Sequence, residues 1–231
     1  VVDEAGNLAY GTNYVILADT TPPVVLCPVD LSVTNDPGQC GAVVTYAAPV
    51  GQDNCTGAVT TQVGGLASGV MYPVGRTTNT FEVTDGAGNK AACSFVVTVV
   101  DAEPPLMTWQ VTNVVVSADS NCQGWMPDLT GTNYVVAVDN CSGVTVTQSV
   151  PAGTALALGA SNEVVLAVAD EAGNVAYGTN YVTLVDTTPP LISWYLTNVV
   201  VSADMNCQGW MPDLTGTNYV VAADNCSGVT V

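Results

Sequence analysis

The chain lacks histidine, and it has only two basic residues, Arg76 and Lys90, against twenty acidic ones, which gives a net charge of −18. Phosphate recognition needs clustered lysine and arginine, so nucleic acid is excluded as a natural partner, and an anionic membrane surface would repel the chain. Carboxylates, serine and threonine are the only candidate catalytic groups. Because the acids recur at equivalent places in successive repeats, we interpret them as structural and predict that the chain is not an enzyme.

Long apolar runs are also missing. Hydrophobic residues make up 48% of the chain, yet no uninterrupted run reaches the ~18 residues that would span a membrane. No segment keeps an apolar period of 3.6 residues, whereas strand-like runs alternate with glycine, asparagine or proline signals, a pattern typical of an all-β sandwich. Such runs stand at 24–27, 40–46, 77–84 and 93–100.

Internal repeats organise the sequence. The segment 3–23 recurs at 170–190 with three differences, and the segment from Pro104 recurs from Pro189. We predict tandem immunoglobulin-like β-sandwich domains, two complete and two partial. The predicted pieces are 1–19 (a closing hairpin), 20–102, 103–187 and 188–231 (an opening part). This organisation predicts an excerpt of a longer array.

The pentapeptide D-x-A-G-N occurs three times, at 3–7, 85–89 and 170–174. An Asp side chain can bond to the backbone two residues on, and glycine supplies a positive φ, so each copy is predicted to close a hairpin. A calcium-binding loop is the alternative, more specific interpretation, but five residues supply too few of the six to eight oxygen ligands that calcium takes.

Several separated motifs of residues 20–102 carry a family resemblance. DTTPPVVLCPVDLSV, DNCTG, SGVMYPVG and TNTFEVTDGAGNKAACSF appear in that order, and together they resemble the hyalin repeat (HYR) domain. Residues 103–187 resemble a bacterial-surface-protein variant, with CQGWMPDLTG, DNCSG and DEAGN. The resemblance implies an immunoglobulin-like module with an architectural or adhesive role outside the cell.

All eight cysteines lie inside the repeats, with neither CxxC spacing nor histidine for zinc. Aligning the repeats predicts a recurrent pair within each one, Cys40–Cys55, Cys122–Cys141 and Cys207–Cys226. Cys27 and Cys93 then remain as a second bridge of the first complete repeat. Disulfides indicate an oxidising compartment, so we predict an extracellular or cell-surface location.

The second complete repeat lacks the equivalent of the Cys27–Cys93 bridge. Trp109 aligns with Cys27 and Gly178 with Cys93. We therefore predict that Trp109 is buried over Gly178 and replaces the covalent link with aromatic contact area.

Three further kinds of site stay open. Asp19, Asp101 and Asp186 end repeats just before a proline step and could share calcium, although proline stiffness and backbone hydrogen bonds account for them without any cofactor. Thr20 and Thr187 suit O-glycosylation.

Trp125 and Trp210 could contact a ligand. The main prediction is a structural segment of an extracellular filament, stalk or surface adhesin that gives length, stiffness and protease resistance. Its partners would be other repeats of the same chain or neighbouring copies. The alternative is a carbohydrate- or protein-binding adhesion module that uses exposed tryptophan and tyrosine side chains.

Overall fold

A computed structural model describes residues 1–141, 143–226 and 228–230, and the described residues contain strands but no helix. The chain divides into two compact units, Val1–Glu103 and Pro104–Val231. The predicted all-β fold is confirmed. The finer division of the chain into four pieces stays a prediction.

Unit 1 has six strands. They are β1 (Leu31–Thr34), β2 (Gly41–Val44), β3 (Val59–Gly64), β4 (Val70–Pro73), β5 (Gly75–Thr84) and β6 (Lys90–Val100). One sheet has the order β1-β6-β5-β3, and β2 pairs with β4 in a second sheet. The run 24–27 forms only an isolated bridge, from Val24 to Gln52. β5 and β6 alternate between buried and less buried residues, which directs one side of the sheet towards the core.

The described residues of unit 2 form eight strands. They are β7 (Leu106–Gln110), β8 (Asn113–Ser117), β9 (Val135–Val138), β10 (Thr145–Gln148), β11 (Ser161–Ala169), β12 (Val175–Val185), β13 (Leu191–Tyr195) and β14 (Val220–Ala223). The main sheet has the order β10-β11-β12-β8. A short strand pairs in parallel with the last long strand in each unit, β1 with β6 and β8 with β12. Smaller sheets pair β7 with β9 and β13 with β14.

Aromatic rings fill the core of unit 1. The ring of Tyr46 meets the ring of Phe95 edge to face, with centroids 5.0 Å apart, and Phe81 lies parallel to Phe95. Both geometries suit the quadrupoles of aromatic rings. Cys27 and Cys93 pack against this core and are joined by a disulfide with their Cα atoms 5.6 Å apart. This is the pair that the repeat alignment assigns to the first complete repeat.

A polar network is buried beside the rings. Asn79 is fully buried, its Oδ1 accepts from the backbone nitrogen of Leu66 at 2.7 Å, and its Nδ2 donates to the Tyr72 hydroxyl at 3.0 Å. Burial, with a smaller contribution from Tyr46, raises the pKa of Tyr72 to about 12, so the hydroxyl stays protonated and donates to the Leu66 carbonyl. A satisfied network of this kind fixes one arrangement of the core.

Unit 2 has an aliphatic core, and the part of it that the structure describes contains no equivalent ring cluster. Its fully buried side chains include Leu129, Val164, Leu166 and Leu184. Asn180, in β12 opposite Val164, is also fully buried. Neither its Oδ1 nor its Nδ2 has a hydrogen-bond partner among the described residues. A buried amide without partners is a cost to stability that Asn79 does not carry.

The predicted packing of Trp109 over Gly178 is wrong. Trp109 is 47% exposed. Pairing between β7 and β9 shifts register between Met107 and Trp109, so other side chains of β7 cover the glycine. A Cβ atom at Gly178 would lie 2.9 Å from Met107 Sδ and would also meet Gln110 Oε1. A one-residue irregularity in a strand changes which side chains face the core.

Candidate junction site

Each D-x-A-G-N copy forms the predicted hairpin turn. In all three copies the Asp nitrogen donates to the Asn carbonyl at 3.1 Å, and the glycine has a φ between +84° and +95°. The Asn side chain closes the turn by donating to the Asp carboxylate at 2.8 Å, as in the pairs Asn7–Asp3, Asn89–Asp85 and Asn174–Asp170. A positive φ suits glycine because it lacks a Cβ atom.

The hydrogen bonds within these turns stabilise the charged carboxylates. Burial alone would raise the pKa of Asp85, but the side chain and backbone of Asn89 and the backbone of Ala87 donate to it, and its pKa is lowered overall. The pKa of Asp170 is lowered in the same way, and the pKa of Asp3 is lowered mainly by the side chain of Asn7. Hydrogen bonds to an ionised carboxylate favour its charged form.

The turn at 85–89 lies at one end of unit 1, which we call the hairpin end, and the DNC loop at 53–55 is beside it. A Cβ atom at Gly57 would lie 3.6 Å from the Cα of Gly86, so the loop after Cys55 touches the turn. Asn89 Nδ2 donates to the carbonyl of Asp19 at 3.3 Å. The end of one sequence repeat, the DNC loop and the hairpin turn of the next repeat therefore meet here.

A cluster of Asp19, Asp53 and Cys55 forms the centre of this site, with their ligand-type atoms within 4.8 Å of one another. One oxygen of each carboxylate caps the local backbone: Asp19 Oδ1 accepts from the nitrogen of Thr21 at 3.0 Å, and Asp53 Oδ2 from that of Cys55 at 2.8 Å. The other oxygen of Asp53, Oδ1, is buried without a hydrogen-bond partner among the described residues. Calcium takes six to eight oxygen ligands, whereas this cluster offers two carboxylates and one thiol, whose sulfur is a soft ligand.

The Cys55 thiol is held in its protonated form. A side-chain hydrogen bond with Asp19, then burial and further nearby carboxylates, raise the pKa of Cys55 above its ordinary value. A thiol, unlike a thiolate, is a weak nucleophile. The arrangement therefore suits a structural cysteine better than a catalytic one.

The other predicted metal residues use the same backbone cap. Asp186 Oδ1 accepts from the nitrogen of Thr188 at 3.0 Å, and the buried Asp101 accepts through Oδ1 from that of Glu103 at 3.2 Å. These contacts are the Asx-type hydrogen bonds that the account without metal requires.

Cys40 and Cys55 lie at opposite ends of unit 1. We call the end that holds Cys40 the far end. The turn before Cys40 is tied to the end of β6, because Asn35 donates its backbone nitrogen to the Val100 carbonyl at 2.9 Å and Gly38 donates to Glu103 Oε2 at 2.8 Å. β6 has 11 residues, so its two ends are ~33 Å apart at about 3.3 Å per residue.

The predicted Cys40–Cys55 pair is therefore wrong in this structure. Disulfide-bonded cysteines have Cα atoms less than about 7 Å apart, and both of these thiols are exposed and unbonded.

The predicted Cys122–Cys141 and Cys207–Cys226 pairs are also not formed. Cys122 is instead bonded to Cys226, with Cα atoms 4.7 Å apart, and Cys207 is an exposed thiol. The reason is again the length of the sandwich. In unit 2 the far end is the end opposite the turn at 170–174. The turn before Cys122 lies there, because the backbone nitrogen of Ala118 donates to the Val185 carbonyl at 2.8 Å.

The loop after Cys141 lies at the hairpin end of unit 2. A Cβ atom at Gly143 would be 4.0 Å from Glu171 Oε1, in the turn before β12. β12 again has 11 residues, so it separates Cys122 from this loop. The observed bond joins a cysteine of the repeat 103–187 to a DNC cysteine of the sequence that follows it. Asn225 Nδ2 supports it by donating to the Asp119 carbonyl at 2.8 Å.

The remaining predicted residues are on the surface. Trp125 is 50% exposed and forms a bridge to Ala155, and Trp210 is 84% exposed. Thr20 and Thr187 are exposed, as an acceptor for glycosylation would have to be. Their predicted roles in binding and glycosylation stay predictions.

The strand order and the paired sheets define the class of fold, all-β with immunoglobulin-like sandwiches, and the disulfides indicate an extracellular or cell-surface location. The comparison of the sequence with protein families is more specific. Residues 18–99 match the HYR domain. The chain therefore contains a HYR domain, as its motifs predict.

Curated relatives agree with this assignment. Hyalin of Strongylocentrotus purpuratus is 31% identical over 199 residues, which cover 82% of this chain and 16% of hyalin. Hyalin of Lytechinus variegatus is 28% identical over 250 residues, which cover 98% and 45%. The chain thus spans less than half the length of these relatives. Both are animal proteins, so the predicted bacterial-surface subtype has no support.

Solved structures give weaker likenesses. The extracellular domain of protocadherin GammaB4 is 18% identical, with a TM-score of 0.39 and coverage of 90% of this chain and 40% of that one. The immunoglobulin domains 1–5 of Sidekick-1 are 12% identical, also with a TM-score of 0.39, and the match covers 76% and 41%. Among the described residues, no helix is long and apolar enough to cross a membrane.

Proposed function

We propose that the chain is a structural segment of an extracellular filament, stalk or surface adhesin, in which successive repeats give length, stiffness and protease resistance. The observation that carries this proposal is the Cys122–Cys226 disulfide, which links one sequence repeat to the next. A covalent link across a repeat boundary restricts bending and extension there, which a segment under mechanical tension requires. The partners are other repeats of the same chain or neighbouring copies.

The positions of the basic residues support protease resistance. Arg76 is in β5, paired with Thr98, and Lys90 is in β6, paired with Thr84. Lys90 also forms an ion pair with Glu82 at 2.7 Å. A protease must bind its substrate in an extended, accessible form, so cleavage at either residue needs local unfolding.

Trypsin digestion tests this part of the proposal. The native chain should stay intact, whereas the chain in denaturing urea should be cut at Arg76 and Lys90. The matched control is Ala152→Lys, which places a trypsin site in an exposed turn of unit 2 and should be cut at once in the native protein. Rapid native cleavage at Arg76 or Lys90 would contradict the proposal.

A binding module for carbohydrate or protein is the second candidate, because Trp210 and Tyr177 expose 84% and 70% of their surface. Exposed aromatic rings can stack on ligands. A glycan array probed with the wild-type chain and with Trp210→Ala tests this. Binding that the substitution abolishes would favour the module, and its absence would favour the structural segment.

We propose no cofactor for the junction site. The aspartates accept backbone hydrogen bonds that do not need a cation, and the sulfur of Cys55 suits a hard ion such as calcium poorly. Titration calorimetry with calcium should give no heat of binding. Saturable binding that Asp19→Asn and Asp53→Asn remove would establish a calcium junction instead.

A further inference from the structure

Four cysteines lie outside the two disulfides of the described residues, and each aligns with a bonded one: Cys40 and Cys207 with Cys122, and Cys55 and Cys141 with Cys226. The local conformation of the bonded cysteines is reproduced at Cys55 and Cys207. Cys55 and Cys207 are exposed thiols. Cys55 is the cysteine of a DNC loop, like Cys226, and Cys207 follows an aspartate turn, like Cys122. Cys122 and Cys226 are bonded to each other.

The turn that carries Cys207 reproduces the turn that carries Cys122. Both cysteines have the left-handed backbone that non-glycine residues rarely adopt, with φ of +58° and +60°. Both donate their backbone nitrogen to the carbonyl of the aspartate three residues earlier at 3.0 Å. Asp119 Oδ1 and Asp204 Oδ1 each accept two further backbone nitrogens at 2.8–2.9 Å. The conformation of the bonded cysteine is thus already present at Cys207 before it has a partner.

The DNC loop of Cys55 reproduces the loop of Cys226 in the same way. Asp53 and Asp224 accept the backbone nitrogen of their cysteine at 2.8 and 2.9 Å. Asn54 and Asn225 each donate Nδ2 to the sulfur of the following cysteine at 3.4 Å. The loop conformation that presents the Cys226 sulfur to Cys122 is therefore present at Cys55.

We propose that Cys207 and Cys55 are the two halves of a repeat-to-repeat disulfide. Cys207 is bonded to the DNC cysteine of a repeat that follows it, and Cys55 is bonded to the turn cysteine of a repeat that precedes it. The partner of each is a further repeat of the same kind. This inference deepens the proposed structural role and depends on it. The boundary between 20–102 and 103–187, where Cys40 is an exposed thiol, has no such bond in the part of the chain that the structure describes.

Formation of each bond is an oxidation that needs an acceptor. The two thiols lose two protons and two electrons, and one sulfur–sulfur bond forms. A dissolved disulfide such as oxidised glutathione accepts them and is released as two thiols. This chemistry belongs to an oxidising compartment.

The test is a disulfide map of an extended chain, in which a copy of residues 147–231 follows Val231. The added segment continues the third repeat and supplies a further DNC cysteine. Cleavage before aspartate separates the turn cysteines, on 119–127 and 204–212, from the DNC cysteines. The internal DNC peptide now runs on into the copy of 147–169 and would have the same sequence as residues 139–169, so the copy carries Thr147→Ser to give this peptide a distinct mass. The copy also carries Cys207→Ser, which leaves a single 204–212 peptide with a cysteine. The terminal DNC peptide matches residues 224–231.

The proposal predicts that the terminal DNC peptide is joined to 204–212 and that the longer internal one is joined to 119–127. Joining of the longer peptide to 204–212 would be a bond within one repeat and would overturn the proposal. So would complete alkylation of 204–212 by iodoacetamide after oxidation with the glutathione couple. Cys226→Ser in the 231-residue chain is the matched control, which should expose the Cys122 thiol to iodoacetamide.

An extension at the other end tests Cys55. A copy of residues 103–167 placed before Val1 supplies a preceding turn cysteine, and peptide 53–84 should then be joined to a 119–127 peptide. An alkylated 53–84 would count against the assignment of Cys55. Trypsin resistance of the native 231-residue chain is a separate readout, so these maps can fail while the proposed structural role stands.

Discussion

Removal of the Cys27–Cys93 disulfide should destabilise unit 1 selectively. The bond closes a loop with a sequence separation of 66 residues. The loss of chain entropy in the unfolded state for such a loop corresponds to about 4 kcal/mol at 25 °C. A domain of this size has a total stability of about 5–15 kcal/mol, so Cys27→Ala with Cys93→Ala removes a large fraction of it.

The chain contains its own control for this experiment. Unit 2 has Trp109 and Gly178 at the equivalent positions, and the double substitution does not touch its Cys122–Cys226 bond. Urea unfolding of the wild type and the variant should show the transition of unit 1 at a clearly lower concentration and the transition of unit 2 unchanged. Equal shifts of both transitions, or a change in unit 1 below about 1 kcal/mol, would refute the reasoning.

Other predictions concern buried amides, acid and metal. Asn180→Val should stabilise unit 2 by about 1–3 kcal/mol in urea unfolding, because it removes a buried amide that has no hydrogen-bond partner among the described residues. Asn79→Val should destabilise unit 1 by a similar amount, because it removes a buried amide that is hydrogen-bonded. A loss of stability from Asn180→Val would contradict this reasoning. The lowered pKa of Asp85 stabilises the native state above its unfolded value of 3.8, so stability should fall as pH decreases below about 4, and Asp85→Asn should weaken that dependence. A dependence that Asp85→Asn leaves intact would assign it to other carboxylates. Chelation with EDTA should leave the amide NMR signals of Asp19, Thr20 and Thr21 unchanged, and broadening there would indicate a bound cation.

The parts of the fold that depend on local chemistry could be predicted from the sequence. The turn at 85–89 follows from an aspartate, a glycine with positive φ and an asparagine within five residues. β5 and β6 follow from alternation of apolar and polar residues on each side of that turn. The Cys27–Cys93 disulfide could be predicted because these two cysteines are the ones that have no counterpart in the other repeats.

The recurrent disulfides could not be predicted in this way. Alignment of repeats shows that Cys40 and Cys122 occupy related positions, but it does not show which repeat supplies the partner. That choice depends on the length of β6 and β12, which places the turn cysteine and the DNC cysteine of one repeat at opposite ends. The positive φ of Cys122, +60°, could not be predicted from its residue type either, because glycine is the residue that usually adopts a positive φ.

The Trp109 prediction failed for a related reason. Alignment placed Trp109 opposite Gly178, but the register shift between Met107 and Trp109 turns the ring away from the core. Bulges of this kind depend on pairing with a distant strand, here β9, rather than on the local sequence.

Stiffness between repeats is the central claim of the account, and ¹⁵N relaxation of the 231-residue chain measures it most directly. Amides of 161–185 and of 191–195 lie in the two sequence repeats that the Cys122–Cys226 bond joins. The account predicts one common rotational correlation time for these two segments. Two distinct and shorter correlation times, each that of a separate domain, would show a flexible tether and contradict the account.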